Sequence, residues 1–150
     1  MKFKAVFVAA ILVASAVNTL AADPKLDGAY KYVATTFPGG SQTEADAKGM
    51  IVVHGKYMAF VRAGVGRKTW SQEEPKEERD KKVIAAYQGL AATTGSFEIQ
   101  GNIITLQQVA QASPATMGTA TKYEYKLDGK ILTLKPVANA GVEFKFERLP

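Results

Sequence analysis

An all-β fold is the class this sequence predicts. The expected form is an eight-stranded antiparallel up-and-down β-barrel with one amphipathic helix inserted between strands 3 and 4. Three observations predict it. Short apolar or alternating runs recur along the chain, separated by turn residues. Asp128-Gly129 splits two alternating runs, Lys122–Leu127 and Lys130–Lys135, and Asp-Gly suits the positive φ angles of a type I′ hairpin turn. One segment alone switches to helical spacing. Strands joined by tight turns are antiparallel neighbours, and closing the meander removes both exposed edges.

The chain opens on a leader pattern. Lys2 and Lys4 precede an apolar run, Ala5 to Val17, which ends at Thr19-Leu20-Ala21. The run is short for a bilayer span but suits a signal-peptide core. Residues 1–21 are therefore expected to be a signal peptide, with cleavage before Ala22 and, as second choice, before Asp23. An uncleaved membrane anchor is the alternative. Residues 22–150 are expected to be a single barrel domain, exported to a periplasm or secreted. Cleavage at that point would leave no integral membrane segment.

Leu26 to Phe37 is the first strand, with Gly28, Tyr30, Tyr32 and Ala34 on one face. Phe37-Pro38-Gly39-Gly40 ends it, and a polar loop runs from Ser41 to Lys48. Gly49–Val53 and Tyr57–Ala63 form the next hairpin around His54-Gly55-Lys56. Both of its faces are apolar, so periodicity does not say which looks inward, and the helix is a candidate to cover the outer one. Ser71 and Glu74 fit a capping box. Val83, Ile84, Tyr87, Leu90 and Ala91 then recur at helical spacing, giving a helix from about Glu73 to Leu90. Its charged run, Glu73 to Lys82, mixes signs as a solvated helix face does. Ser96–Gln100 and Ile103–Ala110 pair across Gly101-Asn102. Thr119–Leu127, Lys130–Lys135 and Val142–Leu149 complete eight strands. In the last, Val142, Phe144, Phe146 and Arg148 share one face.

Composition narrows the function classes. About 130 residues after the leader make one domain with a real core. The chain has no cysteine, which excludes disulfides, thiol chemistry and Cys-ligated metals. Its net charge of +5 drops by two when Lys2 and Lys4 leave. The remainder forms no basic stripe interleaved with aromatics, which argues against a nucleic-acid partner. His54 is the only histidine. One His without Cys builds no typical zinc site, and no carboxylate cluster has calcium spacing. Gly64-Val65-Gly66 lacks the context of a nucleotide fingerprint. No cofactor, metal site or catalytic residue is called for.

Leu26-Asp27-Gly28-Ala29-Tyr30-Lys31-Tyr32-Val33, Lys48-Gly49-Met50-Ile51-Val52 and Gly55-Lys56-Tyr57-Met58 resemble the bacterial lipocalin-like domain family. So do Thr94-Gly95-Ser96-Phe97-Glu98-Ile99, Ser113-Pro114, Gly118-Thr119, Tyr123, Leu127-Asp128-Gly129 and Leu132-Thr133-Leu134. The resemblance runs from about Leu26 to Leu149 and implies a small exported barrel with a cavity. It also implies a barrel-closing pair. Gly28-Ala29-Tyr30 and Arg148 stand where lipocalins carry Gly-x-Trp and a stacked Arg, and a Tyr face also accepts a guanidinium. Gln107-Gln108 and Lys122 replace His and Arg of related domains.

The candidate ligand-binding residues are Tyr32, Phe60, Tyr87, Phe97, Gln107, Tyr123, Tyr125, Phe144 and Phe146, mostly aromatic rings on expected interior faces. An eight-stranded barrel is just wide enough to fill with side chains or to hold one small ligand. The expected partner is a small hydrophobic or amphipathic molecule, bound without catalysis. Two alternatives stay open: a barrel enzyme using Tyr hydroxyls or His54 as acid–base groups, and a fully packed structural envelope module.

Overall fold

A computed structural model describes residues 23–150; the expected signal peptide lies outside the described residues. The elements in order are β1 Gly28–Phe37, β2 Gly40–Thr43, β3 Ala47–His54, β4 Tyr57–Gly64, α1 Lys76–Gln88, β5 Leu90–Gln100, β6 Ile103–Gln111, β7 Ala120–Asp128, β8 Ile131–Pro136 and β9 Glu143–Arg148. From β3 to β9 each strand pairs antiparallel with the next, β3 pairs with β1, and β1 also pairs with β9. That last pairing closes the sheet.

The barrel has eight staves although the sheet has nine strands. β9 occupies one side of β1 from Tyr30 to Thr36. β3 pairs with Gly28–Lys31 and β2 with Ala34–Phe37, so both must lie on β1's other side. β2 and β3 thus act as one stave interrupted by the Glu44–Asp46 turn. The polar loop expected after Phe37 contains this extra strand. It escapes an apolar-periodicity reading because Gly40-Ser41-Gln42-Thr43 has no hydrophobic face. Its presence corrects the placement of the helix: α1 lies between β4 and β5, not between strands 3 and 4.

The tight turns follow from glycine. Gly55, Gly101 and Gly129 have φ of 55°, 61° and 58°, values that a Cβ disfavours. Along the strands, alternation sends one face inward. Tyr30, Tyr32, Ile51, Val53, Met58, Phe97, Ile104, Leu106, Leu132, Leu134 and Phe146 are buried and form one cluster. Tyr32 meets Phe146 edge-on at 6.2 Å between ring centroids, and Phe60 meets Phe146 at 5.6 Å, the spacing aromatic pairs favour.

Two bulges change which residues face inward. In β1 the register with β9 slips at Val33, between Tyr32 and Ala34. Thr35 is buried as a result, while Ala34, expected on the Tyr30 face, is only partly so. In β6 the register with β5 skips Val109, a residue left 68% exposed. At that crossing Gly95 is obligatory, because a Cβ there would sit 1.9 Å from the Gln107 carbonyl oxygen.

The helix differs from expectation in length and role. It starts after Pro75, which cannot extend a helix backwards because it disfavours the α region for the residue before it. No capping box forms; the Ser71 hydroxyl accepts from the Glu73 backbone N–H instead. Leu90, read as the helix end, begins β5. Val83, Ile84 and Tyr87 remain exposed, and α1 buries only Ala86. The outer face of the β3–β4 hairpin is also open, with Met50, Val52, Tyr57 and Val61 exposed. No helix among the described residues is long and apolar enough to cross a membrane.

Candidate functional site at the open end of the barrel

The ends of the barrel differ. At one end, where the His54-Gly55, Gly101-Asn102 and Asp128-Gly129 turns lie, the Pro24–Leu26 turn closes the mouth with Leu26 fully buried. Tyr30 and Arg148 are register partners in β1 and β9. The Arg148 guanidinium lies over the Tyr30 ring, 4.7 Å from its centroid. It donates to the carbonyl oxygens of Lys25 and Asp27 and to the Tyr30 hydroxyl. The Tyr30 hydroxyl donates to Leu26 O at 2.8 Å. Burial raises the Tyr30 pKa above the ordinary phenol value, partly offset by the Arg148 charge. Gly28 makes room for this arrangement. Its φ is +148°, and a Cβ would come 2.9 Å from an Arg148 nitrogen.

The opposite end is open. A vestibule of about 290 Å³ is lined by Phe60, Leu90, Ala91, Ala92, Thr93, Gln108, Gln111, Ala112, Ser113, Tyr123 and Phe144. Beneath it lies a cavity of about 50 Å³, walled by Ile51, Met58, Phe60, Thr93, Leu106, Tyr123, Leu134, Phe144 and Phe146. Phe60, Thr93, Tyr123 and Phe144 line both. The inner space has room for no more than a few waters, far less than the several hundred Å³ of a typical ligand pocket. Any sizeable ligand here must therefore seat in the vestibule.

The expected ligand residues separate accordingly. Phe60, Tyr123 and Phe144 meet at the mouth, with the Phe60 and Phe144 rings 6.4 Å apart. Phe146 walls the inner cavity, while Tyr32 and Phe97 are buried in the core cluster. Tyr125 packs on the core further from the mouth, and burial together with the Asp23 charge raises its pKa. Two more of the candidates line neither space. Tyr87 stands on the outside, 51% exposed, its hydroxyl donating to Ala112 O. Gln107 points outward and donates to Gly118 O at 2.9 Å. Gln108 takes the inward position, 5% exposed, with its Oε1 accepting from the Thr119 hydroxyl. His54 sits at the closed end, its Nδ1 3.5 Å from Asp27 and its side chain 90% exposed.

The polar residues of the vestibule are Thr93, Gln108, Gln111, Ser113 and Tyr123, on a surface that is mostly apolar. Thr93 Oγ1 is buried without a hydrogen-bond partner, an arrangement that costs about 1–3 kcal/mol unless water or ligand relieves it. Tyr123 is a neutral hydroxyl whose pKa burial raises. At the rim, Arg62 Nη1 donates to Thr35 Oγ1 at 3.2 Å and Gln42 Oε1 at 3.0 Å. Its guanidinium carbon lies 5.7 Å from the centroid of the Tyr32 ring. Arg62, Thr93 and Gln108 are the residues a sequence reading misses. Arg62 did leave a signal: it follows Met58 and Phe60 at a spacing of two, as Arg148 follows Phe144 and Phe146.

Comparison with known proteins agrees with the architecture. A family model described as a lipocalin-like domain matches residues 32–145. The matched span stops short of both Tyr30 and Arg148, so it speaks for the barrel rather than for its plug. No curated protein and no solved structure matches the chain. With a matching family model over most of its length and a closed antiparallel barrel, the chain belongs to the lipocalin-like domain family.

Proposed function

We propose that this barrel binds a small hydrophobic or amphipathic molecule at its open end, as a non-catalytic carrier working outside the cytoplasm. One observation carries the reading. Phe60, Thr93, Tyr123 and Phe144 line both the vestibule and the cavity below it, so the mouth is a funnel with aromatic walls and a mostly apolar surface. Such a surface favours apolar ligand burial, at about 25 cal/mol per Å² removed from water. The packed lower half narrows the expected ligand. It is shallowly seated, with its tail on the Phe60–Phe144 rings rather than threaded down the barrel axis.

A purely structural role would leave the funnel without a purpose. An acid–base enzyme is disfavoured by position: His54 lies at the other end of the barrel, and the raised pKa of Tyr123 makes it a poorer acid. Export is supported by the Lys2–Lys4, Ala5–Val17 and Thr19-Leu20-Ala21 pattern.

The test is titration of the folded protein with the neutral apolar fluorophore N-phenyl-1-naphthylamine, alongside native mass spectrometry of protein purified from its own host. The reading expects saturable fluorescence enhancement that Phe144→Ala weakens by about tenfold, the loss of one well-packed aromatic contact. It also expects a co-purifying small molecule. An absence of both saturable binding and adduct would overturn it. N-terminal sequencing of the mature protein checks the export arm.

A further inference from the structure

Arg62 is a cation in an unusual place. It is the next inward-facing residue of β4 above Phe60, and its register partner on β5, Ala91, lines the vestibule. The guanidinium reaches past β3 to Thr35 and Gln42. Gly49 keeps that path open. It faces Arg62 in the β3–β4 register, and a Cβ there would lie 3.0 Å from Arg62 Cβ and 2.6 Å from Val61 O. A side chain at position 49 would therefore crowd the arginine and the strand that carries it.

What Arg62 finds across the mouth is neutral. Only Nη1 has acceptors among the described residues, and both are uncharged. The carboxylate of Glu44 is taken by Lys31 and Lys48, and no acidic group among the described residues pairs with Arg62. A half-buried guanidinium with its fork half used is suited to a planar oxyanion, which accepts two parallel N–H bonds. Phe60, two residues earlier on the same face of β4, lines the funnel, and the Tyr32 ring under the guanidinium meets Phe146 of the inner wall. A charged head over an apolar seat is the complement of one ligand class.

We infer that Arg62 anchors the carboxylate of an amphipathic ligand whose apolar tail rests on Phe60, Phe144 and Tyr123. The carboxylate accepts from Nη2 and Nε while Nη1 keeps its bonds to Thr35 and Gln42, so binding requires no rearrangement of the rim. This rests on the ligand-binding reading above and adds the head-group chemistry to it.

The experiment compares three probes of equal tail length, each displacing N-phenyl-1-naphthylamine: decanoate, decanol and decylamine. Wild-type protein is expected to prefer decanoate over protonated decylamine by about tenfold or more, the worth of one charge-assisted pair. Arg62→Gln should abolish that preference and leave decanol within about twofold of wild type. Equal binding of anion and cation by the wild type overturns the inference, as does an equal loss of decanoate and decanol in Arg62→Gln. In either case the ligand-binding reading stands as long as decanol still displaces the fluorophore. If neither the fluorophore nor any amphiphile binds, the ligand-binding reading falls and takes this one with it. Should Arg62→Gln fail to fold, the anion–cation comparison on the wild type decides alone, aided by loss of the preference at high salt.

Discussion

Each end of the barrel holds an arginine over a tyrosine, and the two arginines are used differently. Arg148 lies 4.7 Å from the Tyr30 centroid and donates to three oxygens of its own chain. Arg62 lies 5.7 Å from the Tyr32 centroid and uses one nitrogen on two neutral acceptors. The first spends both terminal nitrogens on the protein; the second spends one and leaves Nη2 without an acceptor among the described residues. The same strand-end motif, an arginine closing an apolar inward face, thus seals one mouth and leaves the other able to accept something. Engagement of both terminal nitrogens separates the structural cation from the candidate binding one.

The sharpest way to break that contrast lies in β9, where neighbouring inward rings belong to different halves of the barrel. Phe146→Ala removes a ring that is 1% exposed and should destabilise by about 3–5 kcal/mol, read as a lower urea midpoint. Slightly smaller is the expected cost of Arg148→Ala, about 2–4 kcal/mol, because three carbonyl or hydroxyl partners lose their donor. Arg148→Lys should recover only part of it, since an ammonium lacks the fork. If Arg62→Gln costs as much as Arg148→Ala in the same urea series, the two ends are alike and the distinction collapses.

Phe144→Ala should cost about 1–2 kcal/mol, less than Phe146→Ala because its ring is only partly buried, while weakening probe binding more than any core substitution that keeps the fold. The smallest effect is alkaline. Tyr30 and Tyr123 both have raised pKa values, chiefly from burial. Their contribution is fully present below the ordinary phenol value of about 10 and is lost as pH rises through the higher folded values. Urea midpoints measured from about pH 9 to about pH 11 should therefore fall. Tyr123→Phe should flatten the part due to the mouth and leave the part due to Tyr30.

The longer strands and the positions of their turns were legible where a local rule operates. Gly101 and Gly129 take positive φ at their turns, but Asp128 pairs with Ile131 and Lys130 has no positive φ, so the type I′ turn expected at Asp128-Gly129 does not form. The Val142–Arg148 alternation sets which rings of β9 face inward. Legibility failed at bulges. One extra residue at Val33 reverses the parity beyond it, so Thr35 turns inward. Gln108 needs no bulge: it alternates with the buried Ile104 and Leu106, which leaves Gln107 outside. It failed also where structure is held by backbone pairing alone, as in Gly40–Thr43, whose polar side chains carry no burial pattern. The mouth suffered most, because both bulges lie near it and shift the residues that would line a site. The helix misled for a separate reason: its apolar spacing is real, yet Val83, Ile84 and Tyr87 remain exposed.

The pairing of β1 with β9 has a consequence for how the molecule comes into being. Tyr30 and Arg148 stand 118 positions apart, so the seam that shuts the barrel joins the first stave to the last. Until the C-terminal strand is available, both β1 and β8 present an open edge. Loop-closure entropy for that contact must be met before any of its hydrogen bonds form, which places this chain among slow, high-contact-order folders. β9 acts as a latch on β1, and the partly built barrel is the species most exposed to pairing with another chain.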